Sequence, residues 1–454
     1  MSPEPKEQSL RRQLIRAGSA GVMLRVLSVL AGLVSSVALA RMLGPEQYGI
    51  YAFVLAILAI LSIPMQVGLP TLVLRVTAQS TALSEWPTLR GIWSWAAGVV
   101  LAGSAVVIGL FLIWITFAAH TLAEAQRAAL LIGLPLAPLL AAGQVRSAAL
   151  RGFKRIWLGG LPDDVLRPVM LAILVLCAGV FFYNGAVTAR TAMGLSVVAA
   201  LLSFLLGTVF LWRSRPRALV ETTARQFEHR RWLRSILPLS LIGGIQIIMQ
   251  NTDLVMLGFL RSDAEVGQYR IAVSVATLAI FGLTVVRIVV QPYFAEAHAR
   301  NDHTSFQRLA SAGSTVGFAM TLMVVPFVWL VGEKVLDVLY GAAYVAAFGP
   351  LFILMIGQSV GAWFGTGSSA LSMAGYERFV LNALIIAAIL NCFGNVLLIS
   401  AFGSYGAAAA TSFSLALKAL ALWLIARHKL GIDCSPLGFF KNPKVKIGKT
   451  EVPK

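Results

Sequence analysis

Arg25, Arg287 and Lys418 each stand inside a long apolar run, and Asp253 is the one acidic residue placed the same way, preceded by Gln250 and Asn251. Ionisable groups in such surroundings are costly unless they face protein, water or a ligand, so each is a candidate functional residue. The three cations could follow an anionic group into a low-dielectric space, where arginine's planar fork matches phosphate oxygens better than an ammonium does. Asp253, with Asn251 beside it, could hold a coupling proton or Na⁺. Each also has a plainer reading. Arg25 lies roughly 12 Å into its run at 1.5 Å per residue, within reach of snorkelling to the interface, and Arg287 and Lys418 can do the same. Asp253 can pair with Arg261 or Arg270 in its own hairpin. His298 and His303 share a segment with Glu296 and Asp302 at a spacing that fits no standard metal motif. Cys177, Cys392 and Cys434 show no ligand spacing either, so neither a metal nor a cofactor is expected.

The elements that must position these residues are set by composition. The chain has 454 residues, 58% hydrophobic and 12% charged, too little polar surface to coat soluble domains. A membrane is the natural solvent. The net charge of +18 does not point to nucleic acid, because the cations fall in short spacers between apolar runs and not on one polar face. No cleavable signal is evident in MSPEPKEQSLRRQLIRAGSA.

Apolar runs long enough to span a bilayer lie at 18–40, 49–69, 91–117, 128–149, 166–184, 190–212, 235–259, 268–291, 309–332, 346–370, 379–402 and 404–427. These predict an all-α, polytopic membrane protein of twelve transmembrane helices. Six fall on each side of a basic connector, 213–234, which carries seven arginines. With both termini inside, the cytoplasmic segments hold 28 of the 37 Lys and Arg, the external ones hold six, and three remain within helices. That bias places the connector and both ends in the cytoplasm. The external loops are short, which leaves no room for a catalytic domain. The expected organisation is an N-terminal lobe at 1–212, the connector at 213–234, a C-terminal lobe at 235–430 and a cytoplasmic tail at 431–454. The lysine-rich end of that tail suits a membrane surface.

The halves echo each other. Gly49-Ile50-Tyr51-Ala52 aligns with Gly267-Gln268-Tyr269-Arg270, and Gly152-Phe153-Lys154-Arg155 aligns with Gly375-Tyr376-Glu377-Arg378, at offsets of 218 and 223. Units of six helices insert in the same orientation and are related by an axis along the membrane normal. Two such lobes would surround a central cavity and give alternating access by rocking. Under this offset Asp253 corresponds to Ser35, so the acid belongs to one copy.

The stretch Ala38-Leu39-Ala40-Arg41-Met42-Leu43-Gly44-Pro45-Glu46-Gln47-Tyr48-Gly49-Ile50-Tyr51, with Gly68 and Arg75, resembles the opening of the bacterial oligosaccharide flippases. These are polysaccharide translocases of the multidrug/oligosaccharidyl-lipid/polysaccharide exporter superfamily. The second half is similar through Glu265-Val266-Gly267-Gln268-Tyr269, Leu339-Tyr340-Gly341-Ala342-Ala343-Tyr344, Asn391, Asn395 and Gly403-Ser404-Tyr405-Gly406-Ala407-Ala408. The resemblance covers about residues 10–430 and implies translocation of a polyprenyl-diphosphate-linked glycan between leaflets of the inner membrane. Other polysaccharide-assembly proteins would be further partners. Arg25, Arg287 and Lys418 would then meet the diphosphate. Two rivals stand beside this reading. An antiporter for drugs or metabolites would be expected to use cavity acids, where this chain offers one acid and three cations. A membrane-embedded polymerase or ligase needs acidic or histidine side chains in a sizeable loop, and the loops here are short.

Overall fold

Long runs of Ala, Leu, Val and Ile in lipid leave the backbone no partner but itself, so it pairs internally as helix, and glycine marks several of the breaks. In the computed structural model, which describes residues 5–117, 122–181, 187–221, 223–300 and 302–440, the elements are α1 Pro5–Gln66, α2 Leu69–Leu83, α3 Trp86–Phe117, α4 Glu124–Gly133, α5 Leu136–Gly152, α6 Ile156–Gly160, a π-helical turn Leu161–Leu166, α7 Arg167–Phe181, α8 Ala189–Arg213, α9 Arg217–Glu221, α10 His229–Leu260, α11 Asp263–Ala279, α12 Phe281–Ala299, α13 His303–Tyr340, α14 Phe348–Trp363, α15 Gly367–Met373 and α16 Glu377–Leu430. The described residues contain no strand, so the all-α membrane class holds. Among them seven helices are long and apolar enough to cross a membrane, or eight if α11 and α12 make one span.

Two of those seven, α1 and α16, each cover two expected runs. The break in each is one glycine in a conformation that other residues rarely adopt: Gly44 at φ 71° in α1 and Gly403 at φ 58° in α16. The expected run at 128–149 is crossed by α4 and α5, which meet at Pro135 and together make one of the seven, Glu124–Gly152. Residues 70–90, read from sequence as a spacer, contain α2. It buries Leu69, Leu72, Val73, Thr77 and Ser80 at helical spacing, so its apolar stripe is packed and not solvated. The outward faces of the spans are as apolar as their cores. Leu101 of α3 is 72% exposed and Met323 of α13 is 77% exposed, which suits contact with lipid tails.

Packing divides the chain into two compact units. The first comprises 1–275, 332–351 and 392–408, and the second 276–331, 352–391 and 409–454. In the first unit the repeat is visible as contact. Gly49 and Gly267 lie against each other: a Cβ on Gly49 would come within 1.6 Å of the Asp263 carbonyl oxygen, and one on Gly267 within 2.2 Å of the Pro45 carbonyl oxygen. Side chains 218 residues apart perform the same task. Gln47 Oε1 accepts from Ala189 N–H at 2.9 Å, at the start of α8, and Glu265 Oε1 accepts from Ser404 N–H at 2.6 Å, where α16 resumes after Gly403. Orphan amides at helix starts need such acceptors. Arg41 and Arg261 also act alike. The first donates to the carbonyls of Val338 and Leu339, the second to those of Ile399 and Ser400.

The second unit is closed at one end by the segment that follows α16. Asp433 N–H donates to Gln307 Oε1, its carbonyl accepts from Gln307 and Ser311, and its carboxylate accepts from the Trp423 indole and from Ser435. Ile432 and Cys434 are buried beneath it. Residues 431–440 are thus docked on the helices, while the lysine-rich stretch 441–454 lies outside the described residues.

Candidate functional site

Arg287 and Lys418 come together in the second unit. Arg287, on α12, is half-buried and directs Nε and Nη2 at one acceptor, the carbonyl oxygen of Gly365, at 3.1 and 2.6 Å. That carbonyl sits in the break between α14 and α15, where no helical N–H reaches it. The guanidinium therefore turns into the protein, where the plainer sequence reading had it reaching back to the interface. Its Nη1 makes no hydrogen bond among the described residues. Lys418, half-buried on α16, is near enough for the two like charges to repel each other. No carboxylate pairs with either side chain among the described residues. Two neighbouring cations in a half-buried place without a counter-ion are unfavourable on their own, and an anion would relieve them.

Thr366 stiffens this break. Its hydroxyl donates to Ala310 O at 2.9 Å and lies 3.1 Å from Ser314 Oγ. The acceptor of Arg287 is thus held by backbone that is itself fixed, which leaves the guanidinium a single direction.

Arg25 belongs to the first unit. It is exposed, and its charge acts on Asp164. Asp164, exposed as a whole residue, has a carboxyl held above the usual carboxylate range, first by partial loss of solvation and then by the neighbouring Asp163, with Arg151, Arg167 and Arg25 pulling the other way.

Asp253 is buried in the first unit, where Tyr269 donates to its Oδ2 at 2.6 Å and Leu254 N–H to its Oδ1 at 3.0 Å. Arg261 is committed to carbonyls, and Arg270 attracts the acid electrostatically. Tyr269 is the repeat counterpart of Tyr51, whose hydroxyl instead lies 3.1 Å from Ser196 Oγ. The two tyrosines thus take different partners, an acid sixteen residues before Tyr269 on α10 and a serine of α8 for Tyr51. Asn251 bonds the Ile247 carbonyl of its own helix at 2.8 Å, so its amide is turned along α10.

Sequence reasoning missed one strong polar centre. Arg146, counted there with a cytoplasmic segment, is buried and bridges to Asp163 at 2.6 Å, while donating to the carbonyls of Ser203 and Phe204. Gly207 leaves it room, since a Cβ there would lie 2.2 Å from the guanidinium carbon. Arginine followed 17 residues later by two aspartates was the available signal, but spacing alone did not place them face to face.

The sequence profile of a family described as polysaccharide biosynthesis protein matches residues 15–298. Over 169 residues the chain is 25% identical to Agl15 of Haloferax volcanii, described as a probable low-salt glycan biosynthesis flippase. That match covers 37% of this chain and 35% of the relative's length. In structure the chain is similar to an inward-facing multidrug resistance transporter of the MATE family and MOP superfamily, with a TM-score of 0.76 at 13% identity over 91% of this chain and 98% of the other. It is also similar to the lipid II flippase MurJ in an inward closed conformation, with a TM-score of 0.70 at 13% identity over 90% and 87% of the two chains. At such identities the likeness is one of fold.

Proposed function

Because the chain belongs to the polysaccharide biosynthesis protein family, we propose that it carries a polyprenyl-diphosphate-linked oligosaccharide from the cytoplasmic to the periplasmic leaflet of a bacterial inner membrane, without covalent chemistry. The observation that carries this reading is the pair Arg287 and Lys418, two neighbouring cations with no carboxylate on either among the described residues. They offer a diphosphate the charge and the donors it needs. Arg25 would meet the same group as it enters. The names of two similar proteins, a glycan biosynthesis flippase and a lipid II flippase, agree with a lipid-linked glycan as cargo. The drug-antiporter reading has the fold in its favour but leaves the cation pair without a purpose.

In this reading twelve helices span the membrane, both termini are cytoplasmic, and the lobes 1–212 and 235–430 alternate access. A diphosphate near charge −2 moving outward with the potential gains roughly 2.3 kcal/mol per charge per 100 mV, so the potential alone can drive export, with a proton or Na⁺ held at Asp253 as the other source of coupling. Asp253 and Asn251 would modulate coupling. The test is flipping of a lipid-linked glycan by Arg25→Ala, Arg287→Ala and Lys418→Ala proteins that insert normally. Loss in Lys418→Ala and Arg287→Ala is expected, and full activity in all three removes the cationic site. Clamping the vesicle potential at zero should slow the unmodified protein.

A further inference from the structure

The connector and the start of α3 form a half-open pocket of about 280 Å³ lined by Arg90, Trp93, Arg215, Leu219, Val220 and Arg225 among others. Its walls are held by backbone. Gln226 N–H donates to Pro87 O at 3.0 Å, and the Gln226 carbonyl oxygen lies where a Cβ on Gly91 would be 1.9 Å away, so only glycine admits the connector this close. Arg215 is set between two indoles, its guanidinium 5.6 Å from the ring centres of both Trp93 and Trp212, a geometry that fixes a cation in place. Its Nε is shut off from solvent with no hydrogen-bond partner among the described residues. Burial, and then the like charge of Arg90, push this guanidinium down from its ordinary value. No carboxylate pairs with Arg90, Arg215 or Arg225 among the described residues.

A half-open pocket with three arginines and, among the described residues, no paired carboxylate suits an anion. The apolar side of the pocket says what the anion is attached to: Val220 in its lining and Trp212 against Arg215 are each 63% exposed, an apolar edge of the kind that settles at the headgroup level of a bilayer. We propose that this pocket binds the phosphate of an anionic glycerophospholipid from the leaflet beside the connector, with Arg90, Arg215 and Arg225 on the phosphate and the apolar rim on the glycerol and acyl ends. A free phosphate would make no use of the rim. The site does not depend on what the chain transports.

The test is retention of phosphatidylglycerol against phosphatidylcholine by the full chain in detergent, read by native mass spectrometry. At about 1 kcal/mol per cation near an anionic lipid, each neutralised arginine should weaken phosphatidylglycerol about fivefold, and Arg90→Gln, Arg215→Gln and Arg225→Gln together roughly a hundredfold. Arg230→Gln, Arg231→Gln and Arg234→Gln together remove the same charge outside the pocket and should leave retention nearly intact. Arg90→Gln and Arg225→Gln lack the indole sandwich, so they test the site even if Arg215→Gln does not fold. Equal losses from both triple variants, or unchanged retention in the pocket triple, overturn the proposal. Displacement of phosphatidylglycerol by inorganic phosphate, or by farnesyl diphosphate at lower concentration than phosphatidylglycerol itself, overturns the assignment to a glycerophospholipid.

Discussion

Gly49→Ala should loosen the contact between the two repeat hairpins of the first unit. The new methyl would sit 1.6 Å from the Asp263 carbonyl oxygen, where an ordinary contact begins at 3.4 Å. One backbone must therefore retreat by about 1.8 Å, the difference between those two distances. Neither neighbour is a flexible side chain that could swing away, since the atoms met are the carbonyl of Asp263 and the amide of Gly267. Overpacking of this kind costs about 1–3 kcal/mol, which shifts the ratio of closed to open hairpins by about 5- to 150-fold. The assay is maleimide labelling of a cysteine placed at Ser36, which is buried beside Tyr48, in a protein without its native cysteines. Labelling should accelerate by that factor in Gly49→Ala and also in Gly267→Ala, but not in Gly32→Ala, where a Cβ meets nothing within 4 Å. Unchanged labelling in the first two, in proteins that remain folded, would refute the idea that the glycines exist to permit this approach.

Other outcomes follow from particular contacts. Arg146→Ala should cost about 3–5 kcal/mol by leaving the half-buried Asp163 with only the Ser203 hydroxyl, while Arg146→Met with Asp163→Leu should recover most of it; unfolding midpoints in detergent compare the two. Tyr269→Phe removes the hydroxyl from Asp253 and should cost about 1–3 kcal/mol, measured the same way, and Asp253→Asn with unchanged transport and unchanged response to proton and Na⁺ gradients would end its coupling role. Burial raises the Cys434 thiol from 9.0 to about 12, so at pH 8 about a thousandfold less thiolate is present than for a free thiol. Asp433→Ala, by undocking residues 431–440, should bring maleimide labelling of Cys434 at pH 8 up toward the rate of an exposed cysteine.

The apolar runs determined the class, because a chain of this composition can satisfy its backbone in lipid only as helix, and the offset of 218 residues announced the duplication through a few glycines and tyrosines. What those residues were for needed coordinates. Gly49 and Gly267 could be matched by letter, yet that they touch each other is a statement about two chain segments more than two hundred residues apart. The same is true of Gln47 and Glu265, whose common task at a helix start appears only once Ala189 and Ser404 are seen beside them. The segments between the apolar runs proved to hold structure of their own. In α2 and in residues 431–440 the buried residues are too few to resemble a span, and their burial comes from partners that hydropathy does not see.

The candidate cations show the same limit from the other side. Sequence alone determined that Arg287 and Lys418 are misplaced charges in apolar helices, since the cost of a charge there depends only on its surroundings along the chain. Tertiary structure decided that they are neighbours, that Arg287 is aimed by the Gly365 carbonyl, and that Asn251 is turned back onto its own helix. It also decided that Arg215, one of seven arginines in a connector whose sequence suggests topology and anchoring to anionic lipid, lies against two indoles at a pocket. The physical reason is common to all of these. Burial cost is local and can be read residue by residue, whereas the partner that offsets it is chosen by packing between helices remote in sequence.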